Sequence, residues 1–548
     1  MLQLSPLQKA RTHYVPQVLE ILQEMEQLDF VESAPPEPLE LFPNLSPFGS
    51  LMAKRGKALN FQPLQIGVVL SGGQAPGGHN VIGGLFDAMR ILNVESRLVG
   101  FLGGLAGLLK NKAIEITEDV LQSYRNQGGF DLIGSGRTKV ETVEQFQDAL
   151  QTSQVLNLDG LVIIGGDDSN TNACFLAEYF LQKGSKTCVI GVPKTIDNDL
   201  QDGQVEISFG FDTACRIYSE TIGNVARDAL SAKKYYFFIK LMGRVSSHIA
   251  LECALQTKPN LALIGEEIQA RGKKLSQVVD EIVNLIIERA KVGKDWGIIL
   301  IPEGVIEYIA DLKSLIKKIN KVLATGSPIT SKLETLSQIQ EKVSFIRSHL
   351  DKDALETFDL LPLLIQEELL LERDPHGNVQ LSQIETERLL ISICENQLRE
   401  KAKKGEYKGK FAAVPLFCGY EGRSAMPSFF DTNYCYNLGR LATGLIARKK
   451  TGYITTISNL AKEVWRWRAG ATPLAHMMHY EEREGKSKAV IKKAFVDLKG
   501  AAFHAFVQQR EGWRLDDCYS QPGPIQFFGP EEFSDLRPIT LTLLHGND

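Results

Sequence analysis

The stretch Ile163-Ile164-Gly165-Gly166-Asp167-Asp168-Ser169-Asn170-Thr171-Asn172 decides how this chain folds and where its chemistry gathers. The apolar run over 159–164 reads as a buried strand, the glycine pair as a tight turn, and the residues after it as the start of a helix. Backbone bared by glycine at a helix N-terminus attracts phosphate. Two adjacent carboxylates there do the opposite, unless one holds a cation and the other excludes something. The next apolar run, 187–192, also ends in charge, at Gly191-Val192-Pro193-Lys194-Thr195-Ile196-Asp197-Asn198-Asp199. Together the two strand ends predict a phosphoryl-transfer site whose donor is not an ordinary nucleotide.

Outward from these segments, short apolar runs alternate with helical patterns. Strands are expected at 65–70, 235–241, 296–301 and 411–417. Helices are expected at 81–92, 173–182, 212–230 and 275–289, the last with apolar residues at 275, 278, 279, 282, 283 and 286. Such alternation predicts an α/β fold with a parallel sheet covered on both faces. Ligands on such sheets gather beyond the carboxyl ends of the strands, where the glycine and charge motifs fall. Residues 305 to about 405 read as a polar, mostly helical insertion with a turn at Asp374-Pro375-His376-Gly377-Asn378, and Lys313, Lys317, Lys318 and Lys321 as its solvated face. Near the N-terminus, Leu19, Leu22, Met25 and Leu28 have helical spacing. Pro35, Pro36, Pro38, Pro43 and Pro47 follow and predict an extended run over the surface. Beyond about 460 the pattern around Trp465 and Trp467 assigns no element.

At 548 residues the chain has room for more than one domain, and its 43% apolar and 23% charged fractions are those of a globular protein. A net charge of -5 gives no basic face for nucleic acid. Eight scattered cysteines without a CxxC pair read as buried free thiols in a reducing cytosol. No apolar run is long enough to span a bilayer, and Met1-Leu2-Gln3-Leu4-Ser5-Pro6 opens no signal peptide, so the expected location is cytoplasmic and no membrane partner is expected.

Ser71-Gly72-Gly73-Gln74-Ala75-Pro76-Gly77-Gly78-His79-Asn80 follows a strand and opens a helix. It matches neither the P-loop nor GxGxxG, so on its own it is as much a structural turn as a phosphate site. His79 reads as a capping or packing residue. Gly134-Ser135-Gly136-Arg137 joins pliable backbone to a cation, and Arg137 suits an anion, although taken alone it reads as a surface salt bridge. Asp167 is a candidate magnesium ligand, because magnesium takes one or two carboxylates beside substrate phosphates, and the alternative for an Asp in this turn is helix N-capping. Asp197 is the candidate general base toward a substrate hydroxyl. Lys194 would neutralise the transferred group, and Thr195 would orient a phosphate or sugar. Asp199 belongs either to the metal network or to the turn. Lys240-Leu241-Met242-Gly243-Arg244, Glu303 and Tyr420-Glu421-Gly422-Arg423 complete the set, with arginines suited to a sugar phosphate and Glu303 to sugar hydroxyls.

These segments, taken in order, resemble the phosphofructokinase family over about residues 62–460, and within it the long form of the diphosphate-dependent branch. ATP-dependent members usually carry Gly-Gly-Asp-Gly-Ser and Pro-Gly-Thr-Ile-Asp-Asn-Asp, whereas here the variable glycines are Asp168 and Lys194. Asp168 would project its carboxylate where a nucleotide's α-phosphate would lie. Like charges about 4 Å apart repel by roughly 4 kcal/mol at an effective dielectric of 20, about a thousandfold in affinity.

The resemblance implies diphosphate and fructose 6-phosphate as substrates and Mg2+ as cofactor. It also implies two αβα sandwich domains facing across a cleft, with a helical insertion and an N-terminal extension. Carried over, Gly72 would contact diphosphate through its backbone, with Arg137 nearby, and Asp167 would bind magnesium. Thr195, Ile196 and Asp197 would line the sugar site, and Met242, Gly243, Arg244, Glu303, Tyr420, Glu421, Gly422 and Arg423 would hold the sugar phosphate. Lys234 and Tyr235 lie in a segment that reaches a neighbouring subunit's site, which implies a homodimer or larger homo-oligomer. The expected divisions are an extension at 1–61, a diphosphate and magnesium domain at 62–208 completed by about 424–460, a sugar-phosphate domain at 209–423 with its insertion at about 305–405, and a C-terminal extension at 461–548. Many ATP-dependent members carry a histidine where this chain has Tyr420. An ATP-dependent enzyme with an atypical turn and a silent sugar-phosphate-binding subunit are the competing readings.

Overall fold

In the computed structural model the described residues are 4–35, 40–323, 332, 333, 335–370, 384–483, 486–530, 533 and 537–546. In chain order the strands are β1 (Leu28–Glu32), β2 (Leu51–Arg55), β3 (Gln65–Leu70), β4 (Arg97–Phe101), β5 (Ala113–Ile116), β6 (Gly160–Gly165), β7 (Cys188–Pro193), β8 (Tyr235–Leu241), β9 (Leu261–Ala262), β10 (Trp296–Pro302), β11 (Ala413–Cys418), β12 (Tyr453–Ser458), β13 (Arg468–Pro473), β14 (Met478–Arg483) and β15 (Lys486–Ile491). The chain divides into two compact units. The first comprises Met1–Ile217, Tyr420–Ala494 and Pro524–Asp548, and the second Tyr218–Gly419 and Phe495–Gly523.

The first unit holds a nine-stranded sheet in the order β1-β2-β13-β12-β7-β6-β3-β4-β5. Its centre, from β12 to β4, is parallel, while β5 on one edge and β13, β2 and β1 on the other are each antiparallel to the neighbouring strand on the inner side. Every residue of β6 and β7 is buried, as a near-continuous apolar run requires when helices cover both faces. Helix Gly78–Leu92 packs against Phe429–Ala447, a helix buried along nearly its whole length. On the other face Ala173, Cys174 and Ala177 of helix Asp167–Gln182 join Leu161, Ile163 and Val189 in one apolar cluster.

Hydrophobic spacing mispredicts the N-terminal segment. Leu19, Leu22, Met25 and Leu28 are all buried, yet they sit on two 3-10 turns, Glu20–Leu22 and Met25–Gln27, and at the head of β1. The segment's α-helix is instead Pro6–Thr12, capped by Ser5 in a reciprocal box with Gln8. Here burial follows from packing on Phe429–Ala447, where the Asn437 and Arg440 side chains bond the backbone of Leu19 and Leu22, so helical periodicity is not required of it.

The second unit holds a four-stranded parallel sheet, β11-β8-β10-β9. Helix Leu275–Lys291 and the helices Ala310–Val322, Ile339–Arg347, Lys352–Leu360, Leu363–Glu368 and Thr386–Lys403 share one apolar cluster with Tyr236, Phe238 and Ile299. Lys313, Lys317 and Lys321 are exposed and Lys318 pairs with Asp351, as a solvated face requires. The expected turn at Asp374–Asn378 lies outside the described residues. Residues after 460 are shared: β13 and the β14–β15 hairpin belong to the first unit, and helix Ala501–Leu515 to the second. Among the described residues no helix is long and apolar enough to cross a membrane.

Candidate functional site

The order of the first sheet reverses between β3 and β6: β3 connects outward to β4, and the chain then returns to place β6 on the other side of β3. The carboxyl ends of these strands therefore flank a crevice of the kind that takes ligands. One end opens into Ser71-Gly72-Gly73, and the other into Gly166 and the first turn of helix Asp167–Gln182. The two turns are joined by Ser169 Oγ donating to Ser71 Oγ at 2.8 Å. Gly72 N–H donates to Gly136 O at 2.9 Å, which fastens the Gly134–Arg137 loop to the same edge. Gly72 has φ +83°, and a Cβ built on it would lie 3.3 Å from Lys194 Nζ. Only glycine suits that backbone beside the ammonium.

Lys194 reaches this point because β7 pairs with β6 in parallel and its own N–H extends the ladder to Gly165 O at 3.0 Å. The side chain is 5% exposed. Burial pulls its pKa down to about 8, Arg423 pushes the same way, and Asp167, Asp197 and Asp199 pull back. Beyond it, Thr195 Oγ1 accepts the N–H of Asp197 at 3.1 Å, and Asn198 takes a left-handed turn with φ 56°. Asn198 Oδ1 accepts Ser208 N–H at 3.0 Å, which locks the turn. Asp199 is buried, and burial followed by the charges of Asp197 and Asp167 raises its pKa to about 7.

The helix is capped by the Gly166 backbone and no side chain, so Asp167 and Asp168 are not N-caps but lie in the first turn. Each carboxylate has a lysine partner. Lys139 Nζ is 3.3 Å from Asp168 Oδ1, and Lys493 Nζ is 3.3 Å from Asp167 Oδ2. Arg423 also belongs to this unit: its Nη2 donates to Gln74 Oε1 at 2.6 Å, and its guanidinium lies against Gly73. Lys139 stands two residues past the Gly-Ser-Gly-Arg segment, within sight of sequence reasoning. Lys493 carries no motif, and only the fold brings it here. Arg137, Tyr420 and Glu421 are exposed, Ile196 and Gly422 are buried. His79 is a packing residue, fully buried, with its ring nitrogens toward Gln127 O and Leu132 N, and burial lowers its pKa to about 4.

In the second unit β8 ends at Met242-Gly243-Arg244. Gly243 N–H donates to Glu303 Oε2 at 3.0 Å, while Glu303 N–H donates to Leu241 O at 2.9 Å. Glu303 is 2% exposed and Arg244 is exposed. Lys234 and Tyr235 lie at the other end of β8, its Nζ 4.9 Å from the Tyr235 ring centre. The seven residues of β8, about 20 Å at strand rise, run from Tyr235 to Leu241, just before Met242. Among the described residues no group of three or more His, Cys, Asp and Glu side chains forms a ready metal cage.

Parallel sheets with charged, glycine-rich strand ends define an α/β protein that works at the carboxyl edges of its strands. More particularly, the chain belongs to the phosphofructokinase family, whose profile (Phosphofructokinase) matches residues 65–344. It is 52% identical over 93% of its length to pyrophosphate--fructose 6-phosphate 1-phosphotransferase subunit beta 2 of Arabidopsis thaliana, covering 88% of that protein. It is 50% identical to the pyrophosphate--fructose 6-phosphate 1-phosphotransferase of Porphyromonas gingivalis, over 90% of this chain and 89% of that one. The protein of the same name from Entamoeba histolytica is 44% identical over 98% and 99%. Among solved structures, a pyrophosphate-dependent phosphofructokinase from Nitrosospira multiformis has a TM-score of 0.54 at 14% identity, over 87% of this chain and 97% of that one, which speaks to the fold alone.

Proposed function

We propose that this chain transfers a phosphoryl group reversibly from diphosphate to the 1-hydroxyl of fructose 6-phosphate, with magnesium, giving fructose 1,6-bisphosphate and phosphate. The names of its relatives support the reaction. The observation that carries the donor assignment is the Lys194 ammonium over the Gly72 backbone, with Asp168 in the first turn of the adjoining helix. A bare diphosphate seated on Gly72 meets a buried cation, whereas a nucleotide's longer phosphate chain meets the Asp168 carboxylate.

In the forward direction Asp197 accepts the proton of the sugar 1-hydroxyl, that oxygen bonds to phosphorus, and the bridging P–O bond breaks to release phosphate. Lys194 balances charge on the transferred and leaving groups. Asp167, with Asp199 behind it, would hold magnesium. The residues fit the ion, because Asp167 and Asp199 offer hard carboxylate oxygens, of which magnesium takes one or two beside substrate phosphates. Burial followed by the charges of Asp197 and Asp167 raises the pKa of Asp199, an excess of negative charge that a divalent cation relieves. When bound, the metal supplies neutralising charge to the phosphate oxygens. Arg423 extends the cationic wall from Gly73, and Arg137 guards the outer edge. Thr195 and Ile196 shape the sugar site beside Asp197. On the family pattern, Met242, Gly243, Arg244 and Glu303 are assigned to the sugar phosphate, as are Tyr420, Glu421 and Gly422. By the family resemblance, Lys234 and Tyr235, a strand's length from Arg244, serve the site of a second copy, in a homodimer or larger assembly. Seven buried free thiols suit a reducing cytoplasm.

The test is turnover of the purified chain with diphosphate and with ATP at equal free magnesium. The expectation is turnover with diphosphate and about a thousandfold lower kcat/KM with ATP. Use of ATP alone would overturn the proposal.

A further inference from the structure

We propose that Lys493 is a placeholder cation: it occupies Asp167 in the metal-free protein and passes to the diphosphate oxygens when the metal enters with its substrate. This rests on the diphosphate phosphotransferase reading and adds to it a residue and an order of events.

Lys493 comes from far along the chain, yet its position is tightly held. It follows the β14–β15 hairpin, whose last residue, Ile491, is buried in the cluster that contains Ala173 and Ala177. Ile491 N–H donates to Thr171 Oγ1 at 3.2 Å, one turn beyond Asp167 on the same helix. Lys492 N–H donates to Met477 O at 3.0 Å, and Ala494 N–H donates to Asp199 O at 2.7 Å. The backbone on either side of Lys493 is thus tied to the two segments that bear the carboxylates. Its Nζ lies 3.3 Å from Asp167 Oδ2, with the two side chains 27% and 23% exposed, and Asp199 also feels its charge. A surface ion pair would need none of these ties.

An ammonium at that distance and a divalent cation on the same carboxylate repel each other. Either the metal stays away or the lysine leaves. The lysine stem is flexible and its head is a compact point charge, so it can swing to an arriving anion while its backbone stays fixed. Diphosphate brings the anion. Free metal alone is therefore opposed at Asp167, and metal bound to diphosphate is favoured, because the displaced ammonium gains phosphate oxygens as partners.

Two readouts test this on the full chain: binding of Mn2+ alone, followed by loss of the free-ion electron paramagnetic resonance signal, and KM for magnesium diphosphate. In Lys493→Met, and in Lys493→Gln as a second variant against misfolding, Mn2+ should bind about tenfold tighter and KM should rise about tenfold, each about 1.4 kcal/mol. Lys493→Arg should keep both near wild type. The gain in Mn2+ affinity should vanish in Asp167→Asn/Lys493→Met. If either quantity stays within about twofold of wild type in both neutral variants, against the tenfold expected, Lys493 is a structural partner only and the proposal fails. Absence of diphosphate turnover in the wild type would instead sink the underlying reading, and the Mn2+ readout does not depend on it.

Discussion

Replacing Lys194 by methionine keeps an unbranched side chain of similar length and removes the charge that faces Gly72. The structure sets the size of the effect. A Cβ on Gly72 would lie 3.3 Å from Lys194 Nζ, so an anion resting on that backbone touches the ammonium, and the side chain is only 5% exposed. Opposite unit charges about 4 Å apart at an effective dielectric of 20 attract by about 4 kcal/mol, about a thousandfold at 1.4 kcal/mol per decade. The expected result for Lys194→Met is a loss of that order in kcat/KM for diphosphate. The pH profile supplies a second reading of the same charge. Burial first, and Arg423 next, lower the lysine to about 8. The cationic form that diphosphate needs is therefore present below about pH 8 and lost above it. Since kcat/KM reports the free enzyme, it should fall on the alkaline side near pH 8. Lys194→Arg keeps its charge throughout, so this limb should move out of range. Retention of kcat/KM within about tenfold in Lys194→Met, or an unchanged alkaline limb in Lys194→Arg, would refute the reasoning.

Asp197→Asn should lower kcat by a factor of about 10²–10⁴, with little change in KM for fructose 6-phosphate, because a general base is lost and the sugar's contacts are kept. Steady-state kinetics with diphosphate held saturating checks this. If Lys234 serves a second copy's site, then Lys234→Ala and Asp197→Asn, each nearly inactive alone, should recover about a quarter of the wild-type rate after dissociation and reassociation, since half the dimers are mixed and each mixed dimer holds one intact site. Gly84→Ala tests the helix pair that follows the Ser71-Gly72-Gly73 turn. An added Cβ would fall 2.0 Å from Tyr436 O, where helix Gly78–Leu92 meets Phe429–Ala447. The urea midpoint should fall by the equivalent of about 1–3 kcal/mol, the range for overpacking in a close contact.

The strands were the most legible part of the fold. The apolar runs at 65–70 and 235–241 coincide with β3 and β8, since a strand buried on both faces writes a near-continuous apolar signal, which in β8 only Lys240 breaks, its ammonium buried beside Glu387. Helix Phe429–Ala447 is buried on every side and offers no amphipathic stripe, so nothing in its periodicity announces it. The leucines near residue 20 show the opposite failure, in which buried positions happened to fall at helical spacing along irregular backbone. Around the site, the residues at the ends of β6 and β7 were visible because glycine, lysine and aspartate there break an apolar pattern. Lys139 lay within reach, two residues past the Gly-Ser-Gly-Arg segment, but Lys493 did not, because a lysine after a hairpin looks like any solvated lysine until the fold sets it beside a carboxylate.

The central claim is that Asp168 and Lys194 choose the donor. It is tested most directly by the ratio of kcat/KM for diphosphate to kcat/KM for ATP in Asp168→Gly/Lys194→Gly, set against the same ratio in the unaltered chain. The account predicts that the ratio falls by about a thousandfold or more, with diphosphate use losing its cation and ATP use losing its obstacle. An unchanged ratio, with both donors affected alike, would contradict it.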